Sequence, residues 1–360
     1  MGSKKFRKSN SKKYKKKFRE EKKCGKKSFK GNQRKETKSH YSLTNKKKVT
    51  NLSLQNEPKF TSYTEIKNYL NNLANKYKSN LQLQIIGESK EQRPIYLIVI
   101  SQNDSEFPKN GIFIEAGSNG KDSMAIATAL YMIKYLAQTC SCKTDSGIMD
   151  YFIIPCSNPD AYEMSKNGNH PYLDLSTNFP LRLGNSNIDN IRLDKFLDAA
   201  KIWKNKYDFQ CPERLAVIKA ITTYQFVIKL FVSLQEEGKK ILYPFGASED
   251  PVSNINSIRE VALAGNFICY PIGSIYQLCG LKFGTIIDFL MMFQNCIKYP
   301  YIININNREC KSDLNDIPDR AREILCGIQL MSSKISEFYK VEKVKRDESN
   351  VTIDIKKEEP

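Results

Sequence analysis

The sequence predicts an α/β fold, one sheet covered by helices on both faces, behind a lysine-rich arm. Three observations carry this. Short unbroken apolar runs such as 151–155 and 230–234 alternate with segments of helical period, the pattern of strands buried on both sides. The 360 residues are 40% hydrophobic and 27% charged, which suits one large globular domain and excludes a fibrous or wholly disordered chain. The net charge of +18 lies in residues 1–50, with 21 Lys plus Arg against 3 Glu. The remainder balances at 36 basic and 36 acidic residues.

Residues 1–58 have few apolar side chains and many lysines, so they are expected to be disordered alone. The folded domain is expected over 59–340. It opens on a helix, with Ile66, Tyr69, Leu70, Leu73, Ala74 and Tyr77 at helical spacing behind a cap at Ser62 or Thr64. Strands follow at 81–86, 95–101 and 112–115, with a polar turn over 87–93. Residues 123–136 form an apolar helix, and 151–155 a strand. Residues 190–229 read as mostly helical, with an amphipathic run from Leu215 to Ile221. Strands are expected at 230–234, 241–243 and 301–305, and helices at 257–264 and 318–335. A charged, loose tail closes the chain from 341 to 360.

Residues 261–281 are uncharged, yet Asn266, Pro271, Gln277 and three glycines argue for a broken, buried segment and not a membrane span. The arm lacks the apolar core of a signal peptide, so an intracellular location, cytoplasmic or nuclear, is expected. The ten cysteines form no C-x-x-C pair and read as reduced, structural thiols. Only two histidines occur, His40 and His170.

Several segments together resemble the zinc carboxypeptidases, the metallocarboxypeptidases related to pancreatic carboxypeptidase A. IGESKEQRPIYLIVIS looks like the family's strand-turn-strand, with Gln92 where the family has glycine. GIFIEAGSNGKDSMA stands where the family has its first metal motif. IIPCSNPDAYEMS, LDLSTNFP, CPERLAVIKAI, FVSLQEEGKKILYPFG, YPIGSIYQLCGLKFGTIID and IPDRAREILCGI come in the family's order over roughly residues 60–335. The resemblance implies a single α/β domain with a twisted mixed sheet.

It also implies where the chemistry should be. A hydrolytic zinc needs two histidines, a glutamate and an open position; the carboxypeptidase A set is itself a standard example. Here the resemblance puts Asn119, Asp122 and Gln235 in those places. The general-base glutamate falls on Asn304, whose amide cannot take a proton from water. The Asn-Arg pair that holds the substrate's carboxylate becomes Ser176 and Thr177. The capping tyrosine falls on Gly280, and the specificity position on Ile287, implying an apolar pocket. Scaffold residues match and chemical residues do not.

The expectation is a catalytically inactive carboxypeptidase-fold protein without a metal, acting as an intracellular binding or scaffold module, with a peptide as the candidate ligand of the remaining pocket. A second reading is a metallocarboxypeptidase with an altered zinc site that removes apolar C-terminal residues. A third gives the leading role to the arm. Lys12, Lys13, Lys15, Lys16, Lys17 and Arg19, interleaved with Tyr14 and Phe18, suit nucleic acid or another polyanion. Asp122, Glu236 and Glu237 make a candidate site for a harder cation. Adjacent acids such as Glu236 and Glu237 more often form a solvated turn, and the turn is the preferred reading.

Overall fold

The computed structural model describes residues 60–101, 110–139, 149–169, 173–180, 210–266, 269–293, 297–307 and 316–355. The arm, including Lys12 to Arg19, lies outside them, as do His40 and His170.

Helix α1 (Tyr63–Lys76) starts as its sequence dictates. The Ser62 side chain accepts from Glu65 N, and Ile66, Leu70 and Leu73 are buried along one face. Strands β1 (Leu81–Glu88), β2 (Pro94–Ile100) and β3 (Asn110–Ala116) follow. Then come α2 (Ser123–Thr139), β4 (Met149–Ile154) and α3 (Pro159–Lys166). Beyond a 3-10 turn, Leu175–Thr177, the chain forms α4 (Pro212–Tyr224), β5 (Ile228–Gln235) and β6 (Glu237–Tyr243). It closes with α5 (Ile255–Ala264), β7 (Ile272–Ser274), α6 (Ile275–Cys279), α7 (Ile286–Phe293), β8 (Pro300–Asn307) and α8 (Ile317–Ile355).

The eight strands make one mixed sheet in the order β1-β2-β4-β3-β5-β8-β6-β7. Strands β4, β3, β5 and β8 are mutually parallel and central. Alternate residues feed two cores. Ile112, Ile114, Leu230, Val232 and Leu234 join α1, α2, α5 and α8 on one face. Phe113, Phe231 and Ile302 join α4 and α7 on the other. This two-sided burial explains why the central strands read as continuous apolar runs.

As the sequence reading expects, the uncharged stretch 261–281 is broken: it holds the end of α5, β7 and α6, and no helix among the described residues is long and apolar enough to cross a membrane. Two differences from that reading have simple causes. Helix α7 escapes the sequence reading because IIDFLMMF is a short apolar run, broken only by Asp288, and a run of that length does not tell a helix from a buried strand. The backbone of α8 continues to Ile355, past residue 340, where a loose tail is expected from the sequence. Residues 341–355 contain neither Gly nor Pro, so nothing in the sequence stops the helix.

The turn joining β1 and β2 is pinned to α3. The fully buried carboxylate of Asp160 accepts from Ser89 Oγ (2.6 Å), Glu91 N (2.9 Å) and Arg93 Nη1 (2.6 Å). Arg93 thus buttresses the turn. Within this turn Gln92, an exposed side chain, holds φ +60, a region that costs any residue with a Cβ. Gln92→Gly should therefore stabilise the fold by about 0.5–1 kcal/mol, after the entropy glycine adds to the unfolded chain. Urea denaturation measures this; an unchanged or lower midpoint would show that the turn carries no strain.

Candidate functional site

In a parallel sheet buried on both faces, polar side chains collect where the strands end. Ligands of such folds lie at the carboxyl edge, where successive connections leave in opposite directions. Here that place is between β3 and β5. From β3 the chain crosses to β4 on one side, and β5 returns to pair with β3 on the other.

A chain of hydrogen bonds crosses this edge. Glu115, at the end of β3, accepts from Ser157 Oγ and from Ser233 Oγ (2.6 Å). Ser233 in turn accepts from Gln235 Nε2 at 3.1 Å. Gln235 lies beside Asn304 in the β5–β8 register, and Lys240 lies beside Asn304 in the β6–β8 register. Asn304 is fully buried, and neither its Oδ1 nor its Nδ2 has a hydrogen-bond partner among the described residues.

The turn after β3 needs its glycines. Gly117 has φ +75, and a Cβ on Gly120 would stand 2.1 Å from the Ala161 carbonyl. This close passage over α3 sets Asn119 and Asp122. Asn119 donates to Asp174 Oδ2 at 3.0 Å and accepts from Lys121 N at 3.0 Å. Asp174 also accepts from Ser176 N and Oγ, closing the 3-10 turn. Asp122 is fully buried just before α2. Thr177 is half-buried, and Gly280 is exposed with φ +81 at the end of α6. Ile287 is fully buried in the second core, packed with its neighbours on α7. The structure therefore gathers Asn119, Asp122, Ser176, Gln235 and Asn304 at one edge, with Thr177 beside them.

Sequence reasoning missed several members. Glu236 is not a solvated turn. It is buried, and its carboxylate accepts from Met124 N (2.6 Å) and Ala125 N (3.0 Å), capping α2. Glu237 opens β6 and pairs with Lys282 at 2.5 Å. Glu115 left one signal, a single acid inside an apolar strand. Arg214, also buried, donates to Asn178 O and Oδ1. Cys156 is buried, and burial pushes its thiol well up, against a nucleophilic role. Among the described residues no three His, Cys, Asp or Glu side chains cluster as metal ligands.

Known proteins share this fold. The zinc carboxypeptidase family model matches residues 66–306. The chain belongs to the zinc carboxypeptidase family. It is 27% identical over 213 residues to carboxypeptidase D of Anas platyrhynchos, covering 53% of this chain but 13% of that protein. The match to carboxypeptidase B of Astacus astacus is 21% over 304 residues, covering 78% of this chain and 98% of the relative. Bovine thrombin-activatable fibrinolysis inhibitor, solved with a tick carboxypeptidase inhibitor, superposes with TM-score 0.63 at 19% identity, over 78% of this chain and 98% of that one. Carboxypeptidase A from Helicoverpa armigera gives 0.62 at 19%, over 77% and 73%. The carboxypeptidase fold is thus established for this chain.

Burial moves two carboxyls. Glu115 is pushed up to about 7 by desolvation, opposed by its two serine donors and reinforced by the charges of Asp122 and Asp174. Asp288, on α7, is pushed up to about 7 by desolvation despite accepting from Gly246 N and Ala247 N. Each folded-state value lies above the ordinary one, so the folded state holds protons that the unfolded chain releases. Their contribution is full below about pH 4 and is lost as pH rises to about 7. Glu115→Gln should remove its share of this fall, roughly 3 kcal/mol. Urea midpoints at pH 5 and pH 8 measure it. An unaltered pH dependence would show that Glu115 is ionised throughout.

Proposed function

We propose that this chain is a carboxypeptidase-fold protein that does not hydrolyse peptides and serves as an intracellular binding module. The observation that carries the reading is Asn304. At the position where the resemblance places the general base stands a buried amide, which cannot take a proton from water.

The donors present fit zinc poorly. Tight sites use imidazole, thiolate and carboxylate. Asn119 offers an amide whose oxygen already accepts from Lys121 N and whose nitrogen is bound to Asp174. Gln235 offers a second amide, turned toward Ser233. Asp122 alone brings a charge. Five described cysteines carry free thiols, which supports a reducing compartment.

Dialysed protein should hold far less than one zinc per chain. Asn119→His with Asp122→Glu and Gln235→His should gain zinc, yet stay about 100- to 10,000-fold short of a working peptidase, because the base is still absent. Elemental analysis beside a C-terminal release assay reads both. Dialysis-resistant zinc in the wild type, with turnover that a chelator abolishes, would sink the proposal.

We further propose that residues 1–50 bind a polyanion, with nucleic acid the favoured class. The body is charge-balanced, so any long-range attraction must come from the arm. RNA binding should fall steeply with salt and show little sequence preference. Deleting residues 1–50 should abolish it without changing the circular dichroism of the folded part. Equal binding by the truncated chain would place the site in the body instead.

A further inference from the structure

Cys279 lies outside the groups that the carboxypeptidase resemblance assigns to chemistry. Cys156 and Cys211 are buried, whereas Cys279 is open to solvent. It ends α6, and the local packing lays that helix against β6. Parallel pairing of β7 with β6 sets Ile272 beside Ile241 and Ser274 beside Tyr243. Ser274 and Gln277 close a capping box at the start of α6. Leu278 packs over Gly273 so closely that a Cβ there would stand 2.8 Å from Leu278 Cγ. The end of the helix therefore comes down on Lys240, the β6 residue before Ile241. The Lys240 ammonium donates to the Leu278 carbonyl oxygen at 3.5 Å and to the Cys279 sulfur at 3.6 Å. Among the described residues it meets no carboxylate, and the acid on its own strand, Glu237, pairs with Lys282.

An exposed thiol in contact with a lysine nitrogen, with no carboxylate competing for that nitrogen, is a pair that an oxidant can join. We propose that Lys240 and Cys279 form a covalent sulfur–nitrogen cross-link when the protein meets hydrogen peroxide. In the first step the thiol is oxidised to a sulfenic acid and the peroxide is reduced to water. In the second the lysine gives up a proton to solvent, and its neutral nitrogen attacks the sulfur. An S–N bond forms, the S–O bond breaks, and the oxygen leaves as a second water. A dithiol reverses the process: it reduces the S–N bond to thiol and amine and becomes a disulfide itself.

The surroundings favour this course. Oxidation needs access, and a Cβ on the next residue, Gly280, would meet nothing within 4 Å, so the chain beyond Cys279 leaves peroxide a way in. A sulfenic acid condenses with the nucleophile at hand, and the nucleophile in contact with the Cys279 sulfur is the Lys240 nitrogen. The lysine's flexible four-carbon stem closes the remaining gap. The bond would tie the end of α6 to β6 and remove the charge of Lys240. It would also spare Cys279 from the irreversible acids further up the oxidation ladder.

The test is independent of the non-catalytic reading, because the cross-link forms or fails whether or not the chain hydrolyses peptides. The full chain is reduced, treated with hydrogen peroxide and mapped by tryptic mass spectrometry. The peptides of Lys240 and Cys279 should appear joined, about 2 Da lighter than their sum, with cleavage after Lys240 lost. Dithiothreitol should part them and restore the cleavage. Cys279→Ser should abolish the joined species. Lys240→Arg keeps the positive charge but offers no neutral amine, so in that variant Cys279 should accumulate sulfinic and sulfonic acid instead. Neither side chain belongs to the core, and circular dichroism checks that both variants fold. A Cys279 that peroxide leaves untouched, that climbs to the acids in the wild type while Lys240 is still cleaved, or that joins another cysteine or another lysine would overturn the inference.

Discussion

The bonds from Ser157 and Ser233 to Glu115 hold the carboxyl edge of this sheet together. They join β3 to β5 and to the segment after β4. The ladder already pairs Glu115 with Ser233, and Ser157 N donates to the Ala116 carbonyl, so the backbone sets these ends side by side. The buried carboxyl, satisfied by two hydroxyls, ties their side chains as well and passes the constraint on through Ser233 to Gln235. Removing either serine leaves a buried acceptor short of a partner, which is expensive, whereas the intact set costs little.

The second constraint is helix α2. Its first turn must present free N–H groups at the same edge. Glu236 meets two of them, so the strand end of β5 and the helix start are bonded directly. The turn between β3 and α2 is fixed from both sides. Gly120 passes against the backbone of α3, and the Asn119 amide is bonded to Asp174. Asn119 and Gln235, which stand where the resemblance places metal ligands, are thus held by hydrogen bonds within the protein.

Much of the fold was legible because its cause is periodic. Ile66, Leu70 and Leu73 announce α1, and the apolar run 230–234 announces β5. Elements too short to show their period were lost, α7 and β7 among them. The site was legible in its frame and not in its filling. Matched glycines and the Asn-Pro-Asp run mark the positions, because backbone geometry demands those residues. Glu236 was misread because adjacent acids usually belong to solvated turns. Only the tertiary approach of α2 shows what buries this one. Lys240 was missed for the same reason: on a strand it looks like any outward lysine until α6 places Cys279 beside it.

The function of this edge turns on where charge resides. A catalytic zinc would bring two positive charges to the β3 side, where they would offset Asp122, Asp174 and Glu115. With amides at Asn119 and Gln235, that side keeps its acids and has few donors suited to zinc. Desolvation first, and then the negative charges of Asp122 and Asp174, push Glu115 up to about 7. The positive end of the edge lies instead at Lys240, beyond the unbonded amide of Asn304. Binding and hydrolysis make different demands on such a surface: hydrolysis needs a base beside the water, and the position where the resemblance places that base holds the amide of Asn304.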